Sequence, residues 1–371
     1  MTRASEHYES VRKSLVKKLS DAKARCDVVT MPDYFLDHSL TCDFDTRSLT
    51  KRILSVASTG GGEISGVHQS LDVGGNAAIC TLALGKLGAI VHPIMKTDQL
   101  GLTLFQRACG TTKIDLAGMK LTEPSPTMTM ILELQHKQGV ANIMLGDVSR
   151  VPTFGFGDLD PEDLKAIELA EYVGVFNWLY NRKGTELAEK AFAYCRAHSH
   201  AATFLDTADP RPRLSELPAF AKRVLGRGLL DVLGVNENEA LIFAGLYEGK
   251  SKRHGDAVQA SKVISHNTGA TICLHTADYS ASISGDEVVL APAFEVRQLR
   301  GTGAGDSWNA GIIASRSLRL TEEEGLLFAN AVAARYISNP TRAHSTIANV
   351  REFLLSAKLK NIFSTLRIGR S

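Results

Sequence analysis

Cysteine is sparse and scattered. The six thiols (Cys26, Cys42, Cys80, Cys109, Cys195 and Cys273) never form a Cys-x-x-Cys pair. That excludes a zinc ribbon and a disulfide framework, and it implies reduced thiols in a cytosolic setting. An excess of one charge is missing too: 42 Lys and Arg stand against 40 Asp and Glu, a net of +2. No nucleic-acid surface is expected from that balance. Long apolar runs are absent as well. The most apolar long window, Ala77 to Met95, is interrupted by Lys86, His92 and two glycines. It reads as a helix followed by a strand, not as a membrane span. The N-terminus is highly charged rather than apolar, so no secretory leader and a cytoplasmic location are expected. What is present is ordinary for a globular protein: 371 residues, 44% apolar and 22% charged. This suffices for one large α/β domain or two ordinary ones.

The most informative stretch is Arg300-Gly301-Thr302-Gly303-Ala304-Gly305-Asp306. Extended chain is expected before it, over Glu287 to Val296, and helical spacing follows it from Ala310 to Leu318. Three glycines therefore sit where a strand or loop turns into a helix. The first turn of a helix has unpaired N–H groups and the positive end of the dipole. Glycine lets that backbone approach a ligand closely. Gly303, Ala304 and Gly305 can offer donors to a phosphate or a developing oxyanion. Asp306 then stands beside an anion hole, where a carboxylate can take a proton while negative charge collects next door. A dinucleotide fingerprint, Gly-x-Gly-x-x-Gly, does not fit, because its third glycine would fall on Asp306.

Around this stretch the chain is organised as follows. Glu6 to Ala24 is an amphipathic helix with a narrow apolar stripe at Tyr8, Val11, Leu15 and Leu19. Cys26 to Met31 is a core strand. Leu40 to Val73 is polar with short apolar runs and a turn at Gly60-Gly61-Gly62. Gly74-Gly75 opens a helix, and Ile90 to Met95 is a strand. Thr127 to Leu134 is strand-like, and Gln135 to Gly139 is hairpin-like. From Pro161 onward helix and strand patterns alternate. Pro161–Leu169 and Gly184–His198 are helical; Tyr172 to Leu179, Ala202 to Leu205 and Ala270 to Leu274 are strands. Such alternation implies a parallel sheet with helices on both faces.

Gly303-Ala304-Gly305-Asp306 followed by Ala310-Gly311 resembles the C-terminal signature of the ribokinase-like (PfkB) carbohydrate kinases, which usually reads Asp-Thr-x-Gly-Ala-Gly-Asp. Arg300 and Gly301 replace its first two residues, while Thr302 through Asp306 match. Gly74-Gly75-Asn76 with Ala83-Leu84-Gly85 resembles the family's first signature, though Ile79 stands where an Asn is usual. Asn236-Glu237-Asn238-Glu239 resembles its Asn-x-x-Glu motif. The resemblance covers roughly residues 26 to 356.

That likeness implies a three-layer αβα sandwich with a central, mostly parallel sheet and a small β-sheet lid. The lid segments would be inserted at about 40–73 and 118–149 of a kinase domain spanning 26–371, with 1–25 as a helical extension. It implies a small-molecule kinase moving a nucleotide's phosphoryl group to a hydroxyl of a sugar, sugar phosphate or nucleoside. Asp306 would be the base and the Gly303–Gly305 backbone the anion hole. Asp37, Gly74, Gly75, Asn76 and Asp98 would meet the acceptor. Asn236, His275, Thr302 and Asn330 would lie beside the nucleotide, with ATP as donor or ADP or another nucleotide in its place. Glu239 would organise Mg²⁺ through water, and Asp206 with Arg211 could approach phosphates.

Each reading has a plainer companion: Asp37 as a loop aspartate, Asp98 as a helix cap, Asn236 with Glu239 as a capping box, His275 as a packed strand end. Ala277 and Ser280 stand where the family commonly has glycines near the nucleotide. A catalytically weak nucleotide- or sugar-binding regulator of the same fold is therefore the alternative, and a dinucleotide oxidoreductase a distant third. The apolar alternation of the lid segments leads to an expected homodimer through the lid.

Overall fold

A computed structural model of the protein describes residues 3–20, 22, 25–122, 127–136, 139–147, 153–248 and 256–361. An eight-stranded sheet forms its centre. Six strands run parallel, side by side in the order Ile90–Pro93, Asp27–Met31, Tyr172–Phe176, Ala202–Asp206, Val232–Asn236, Thr271–His275. Tyr279–Ser284 and Glu287–Pro292 extend the sheet antiparallel at the His275 side. The parallel strands carry Val, Ile, Leu and Phe on both faces because helices cover both. One face packs against the core of Leu84, Phe105, Trp308, Phe328 and Leu354, and the other against Phe192, Phe220, Phe243 and Ile264. These are the three layers expected from the alternating pattern.

Local sequence explains the helix starts. Asp160 and Asp163 form a reciprocal capping box with Pro161 at the first helical position of Pro161–Leu169. Thr321 and Glu324 do the same for Glu322–Ile337. The N-terminal helix, Arg3–Lys18, lies on the body rather than apart from it. Leu15 and Leu19 are buried, Arg12 donates to Ala357 O at 2.7 Å, and Ser14 and Lys18 both reach Glu324. It ends earlier than the expected Ala24, and residues 21, 23 and 24 lie outside the described residues.

A second, four-stranded sheet stands over one end of the first, in the order Val67–Gly74, Phe35–Asp45, Thr127–His136, Gly139–Gly146. Its two middle strands are parallel and its outer pairs antiparallel. Three expectations need correction here. Leu40 to Val73 holds a helix, Thr46–Ser58, between its strands. Its start is fixed by Asp45, whose carboxylate accepts from Ser48 N. Its polar composition hid it, since it buries no residue. Met119–Leu121, expected in the second lid segment, pairs with Met95–Thr97 in a separate two-stranded sheet. The strand starting at Tyr172 stops at Phe176, and a single tight turn, Trp178–Tyr180, follows. The hairpin tip at 137–138 and residues 148–149 lie outside the described residues.

Candidate active site

A cleft of about 480 Å³ opens where the small sheet overhangs the C-terminal ends of the parallel strands, the usual place for ligands in an open α/β sheet. Each strand end delivers one polar side chain to it: Asp206, Asn236 with Glu239 just beyond, and His275. The overhanging sheet delivers Asp37, Thr129 and Ile131 from its inner face. Strand alternation explains this choice, because residues of one parity face the body and the others face away.

The turn at Thr302–Asp306 closes the cleft. Gly303 is the residue before the helix Ala304–Ser317, at φ 80° and ψ 3°, a left-handed conformation that favours glycine. A Cβ there would also come within 3.0 Å of the Tyr336 ring. Among the described residues the amides of Ala304, Gly305 and Asp306 meet no protein acceptor, so the helix's first turn is open toward the cleft. Asp306 sits in the helix's first turn, almost fully buried. Burial, then the carboxylates of Asp206, Asp33, Asp37 and Glu239, push its pKa well above the usual carboxylate range.

Those neighbours share the crowding. Burial raises Asp206, although Ala208 N and Asn309 Nδ2 donate to it. Glu239 is pushed up to about 8, by burial and then by Asp206. Asp37 rises to about 7, by burial and then by Asp72. Asn309 keeps a buried Oδ1 without a partner among the described residues. Hard oxygen donors with unbalanced negative charge suit a divalent cation. Yet the described residues hold no group of three side chains close enough to ligate one directly. The donor set fits an ion held mainly through water and phosphate oxygens.

The remaining expected residues divide. Gly74, Gly75 and Asn76 border the cleft's rim or Asp37. A Cβ on Gly74 would fall 2.1 Å from Asp37 Oδ1, and Gly75 and Asn76 line the cleft. The amides of Asn76 and Ala77 do not face a ligand, however: they donate to Asp33 at 2.7 and 2.9 Å. Asp98 lies outside the cleft's lining and caps Gln99–Cys109 by accepting from Gly101 N at 2.7 Å. Arg211 is turned away; it is paired with Asp209 and its side chain is 65% exposed. Asn236 and Glu239 form the reciprocal cap, Asn236 N and Nδ2 donating to Glu239 and Glu239 N donating back. Both nevertheless line the cleft.

A second pocket of about 300 Å³ lies behind the same helix start, walled by His275, Ala277, Phe294, Ala304, Trp308 and Asn330. His275 packs against Trp308 with ring centroids 5.1 Å apart, and burial lowers its pKa to about 4. It is a neutral wall at physiological pH. Asn330 is spent on Trp308 Nε1 and the Pro292 carbonyl. Thr302 accepts from Asn142 of the small sheet. Sequence reasoning missed Asn309, whose amide holds Asp206, and Asn177, whose amide holds Asp33 from a left-handed backbone at φ 54°. Asn177 follows a buried strand directly, and a positive φ in a non-glycine residue at such a place is itself a signal of function.

A doubly covered, mostly parallel sheet with this glycine turn and a roofed cleft is the ribokinase type of α/β fold. The chain belongs to the pfkB family of carbohydrate kinases, whose family model matches residues 51–347. Among solved structures it is similar to the ribokinase of Arabidopsis thaliana complexed with ribose and ATP. There the identity is 15%, the TM-score 0.67, and 89% of this chain and 99% of that one are covered. It is similar also to adenosine kinase from Sinorhizobium meliloti, at 19% identity and TM-score 0.64, covering 85% and 94%. Ribokinase from Thermotoga maritima matches at 16% identity and TM-score 0.64, covering 89% and 98%. No curated protein matches the chain. The family match makes the chain a pfkB-type carbohydrate kinase by descent, and the structural likenesses show the shared fold. No helix among the described residues is long and apolar enough to cross a membrane.

Proposed function

We propose that the protein transfers the terminal phosphoryl group of a nucleotide, ATP in the first instance, to a hydroxyl of a sugar or sugar derivative. The observation that carries this reading is the pairing of an uncapped, glycine-opened helix start with a buried carboxylate three residues on, both in one cleft. The acceptor lies between Asp37 and Asp306, and the nucleotide reaches in from the pocket beside Trp308 with its phosphates over Gly303–Gly305. The acceptor oxygen attacks the terminal phosphorus, the bond from that phosphorus to the bridging oxygen breaks, and the hydroxyl proton passes to Asp306. The amides of the turn meet the charge on the transferring oxygens, so catalysis is positioning plus electrostatics. Mg²⁺ would be held through water by Glu239 and Asp206 and would supply positive charge at the phosphates.

The raised pKa of Asp306 fits this role. A carboxylate of ordinary pKa is a weak base, whereas Asp306 is surrounded by negative charge that makes it a stronger one. In the loaded site, positive charge near Asp206 and Glu239 opposes that effect and lets Asp306 ionise before it acts.

We further propose that the small sheet is a lid and a dimerisation surface. Its outer face presents Leu71, Met128, Met130, Ile143 and Leu145, all more than a third exposed. The attached helix adds Ile53 and Leu54 at 50% and 64% exposure. A monomer at micromolar concentration by light scattering would count against the dimer. The kinase reading is tested by screening neutral sugars, sugar phosphates, sugar acids and nucleosides against ATP, ADP and GTP with Mg²⁺. Transfer to none of them would overturn it.

A further inference from the structure

A third cavity, about 280 Å³, adjoins the catalytic cleft and shares Asp37, Ile79, Ile131 and Thr302 with it. The small sheet lines it with Asp37, Asp72 and Glu133, and three other parts of the chain each bring a cation. Lys86 comes from the last turn of Asn76–Leu87, Arg300 from the loop before the glycine turn, and Arg342 from the loop before Ile347–Ser356.

These cations are not equally free. Arg342 has φ 58° and reaches up to the small sheet, where it meets Asp72 and Glu133 at 3.2 Å each and donates to Ser39. One guanidinium thus faces two carboxylates, and Glu133 also feels the charge of Arg300 through space. Arg300 is only 5% exposed, and no carboxylate is in contact with it among the described residues, although Glu133 and Asp72 act on it from a distance. Its Nη atoms donate at 3.3 and 3.4 Å to the Tyr336 and Pro340 carbonyls, and its Nε has no partner. Lys86 forms no ion pair among the described residues. A buried guanidinium without an anion is costly and is normally paired. His344 senses the result: burial, then Lys86, then Arg300, drive its pKa down to about 3.

We propose that this cavity is the subsite for an anionic group carried by the acceptor, with Arg300 and Lys86 as its cationic partners. The acceptor is then a sugar phosphate or sugar acid rather than a neutral sugar. This rests on the kinase reading above. The shared chemistry is an oxyanion on a carbon skeleton whose free hydroxyl reaches Asp306 past Asp37. Guanidinium suits either group, since its fork matches phosphate and carboxylate alike. Arg300 stands where the family signature has an acidic residue, so its charge is a property of this chain.

The test compares each sugar with its phosphate ester and its uronic or aldonic acid, by transfer from ATP and by calorimetric titration. The expected result is a kcat/KM at least 100-fold higher for an anionic member than for its neutral parent. Preference between ester and acid identifies the group. Inorganic phosphate should compete with the acceptor and not with ATP. Lys86→Met should raise the KM of the anionic acceptor about tenfold or more with the KM for ATP unmoved, a loss of ground-state binding. Arg300→Lys should do the same, and Lys86→Met keeps the test open if the buried Arg300 variant fails to fold. Equal use of neutral and anionic acceptors, with Lys86→Met silent, overturns the inference and leaves the kinase reading standing. If nothing is phosphorylated, the kinase reading fails, and calorimetric binding of a sugar phosphate, lost in Lys86→Met, still supports the subsite. No such binding ends both.

Discussion

Two helices in this protein start at glycines and point their N-termini toward the same cleft. Asn76–Leu87 begins after Gly75 at φ 95°, and Ala304–Ser317 after Gly303 at φ 80°. On sequence alone they are equivalent anion sites. In the fold they are not. The first is already filled: Asp33 accepts from Asn76 N, Ala77 N and Asn177 Nδ2. At the second, the amides of Ala304, Gly305 and Asp306 meet no protein acceptor among the described residues. A helix start can hold one anion, and at the first the protein supplies its own. Only the second remains for phosphate oxygens, and it is the one with Asp306 beside it. Whether a glycine-opened helix binds a ligand is decided by what a distant strand end places over it.

The comparison is broken most severely at the open helix. Asp306→Asn keeps size and most hydrogen bonding but cannot take a proton. Turnover should fall by about 10²–10⁴-fold while nucleotide and acceptor still bind. Near-full transfer activity in the folded variant would remove Asp306 as the base. Gly303→Val attacks the same site differently. It forces a β-branched residue to φ 80° and drives its Cβ against Tyr336. Loss of one oxyanion donor alone costs about 10²–10³ in kcat. Here nucleotide affinity should fall as well, which a titration with a non-hydrolysable nucleotide will register.

The unequal legibility of the two starts has a physical cause. Helices at Pro161–Leu169 and Gly184–His198, the parallel order of the sheet and the glycine turn all follow from local pattern. Each is specified by neighbours within a few residues. The helix Thr46–Ser58 was invisible because its apolar side chains, Ile53 and Leu54, face outward and give no core stripe. The role of Asp33 was not legible, because its partners lie 43 and 144 residues away in the chain. Arg300 was legible as a departure from a signature, but not as a buried cation, since burial belongs to the packed Tyr336 and Pro340 segments. Asp98 went to structure because its cap is local and complete.

Emptying the filled helix should give a smaller and different effect. Asp33→Ala removes a carboxylate that satisfies three donors and leaves them buried. Stability should drop by about 1–3 kcal/mol, with loss of order at the acceptor side. Sulfate or phosphate in the millimolar range should then restore part of the melting temperature in Asp33→Ala, by occupying the vacated helix start, more than it does in the parent. Equal stabilisation of both proteins would mean that Asp33 is not a surrogate anion.

The smallest effect is a pH dependence that separates the open site from the rest of the molecule. Burial pushes Asp37 up to about 7 and Glu239 up to about 8, from ordinary values of 3.8 and 4.5. Both are raised, so the folded state holds protons that the unfolded state has released. Their contribution to stability is fully present below the unfolded values and is lost as pH rises through about 7 and about 8. The melting temperature of the ligand-free protein should therefore decline between pH 6 and pH 8.5 by a few degrees, on the order expected for roughly 1 kcal/mol. Mg²⁺ with nucleotide brings positive charge to the same carboxylates and favours their ionised form. The stabilisation it confers should consequently grow over that interval, since binding then needs no proton release. Glu239→Gln removes the higher of the two titrations. It should flatten the upper half of the ligand-free curve and weaken the Mg²⁺ dependence of turnover more than acceptor binding. A parent and a Glu239→Gln variant with superimposable pH profiles and Mg²⁺ titrations would reduce Glu239 to the helix cap it also forms with Asn236, and would leave the open helix start to hold the phosphates without it.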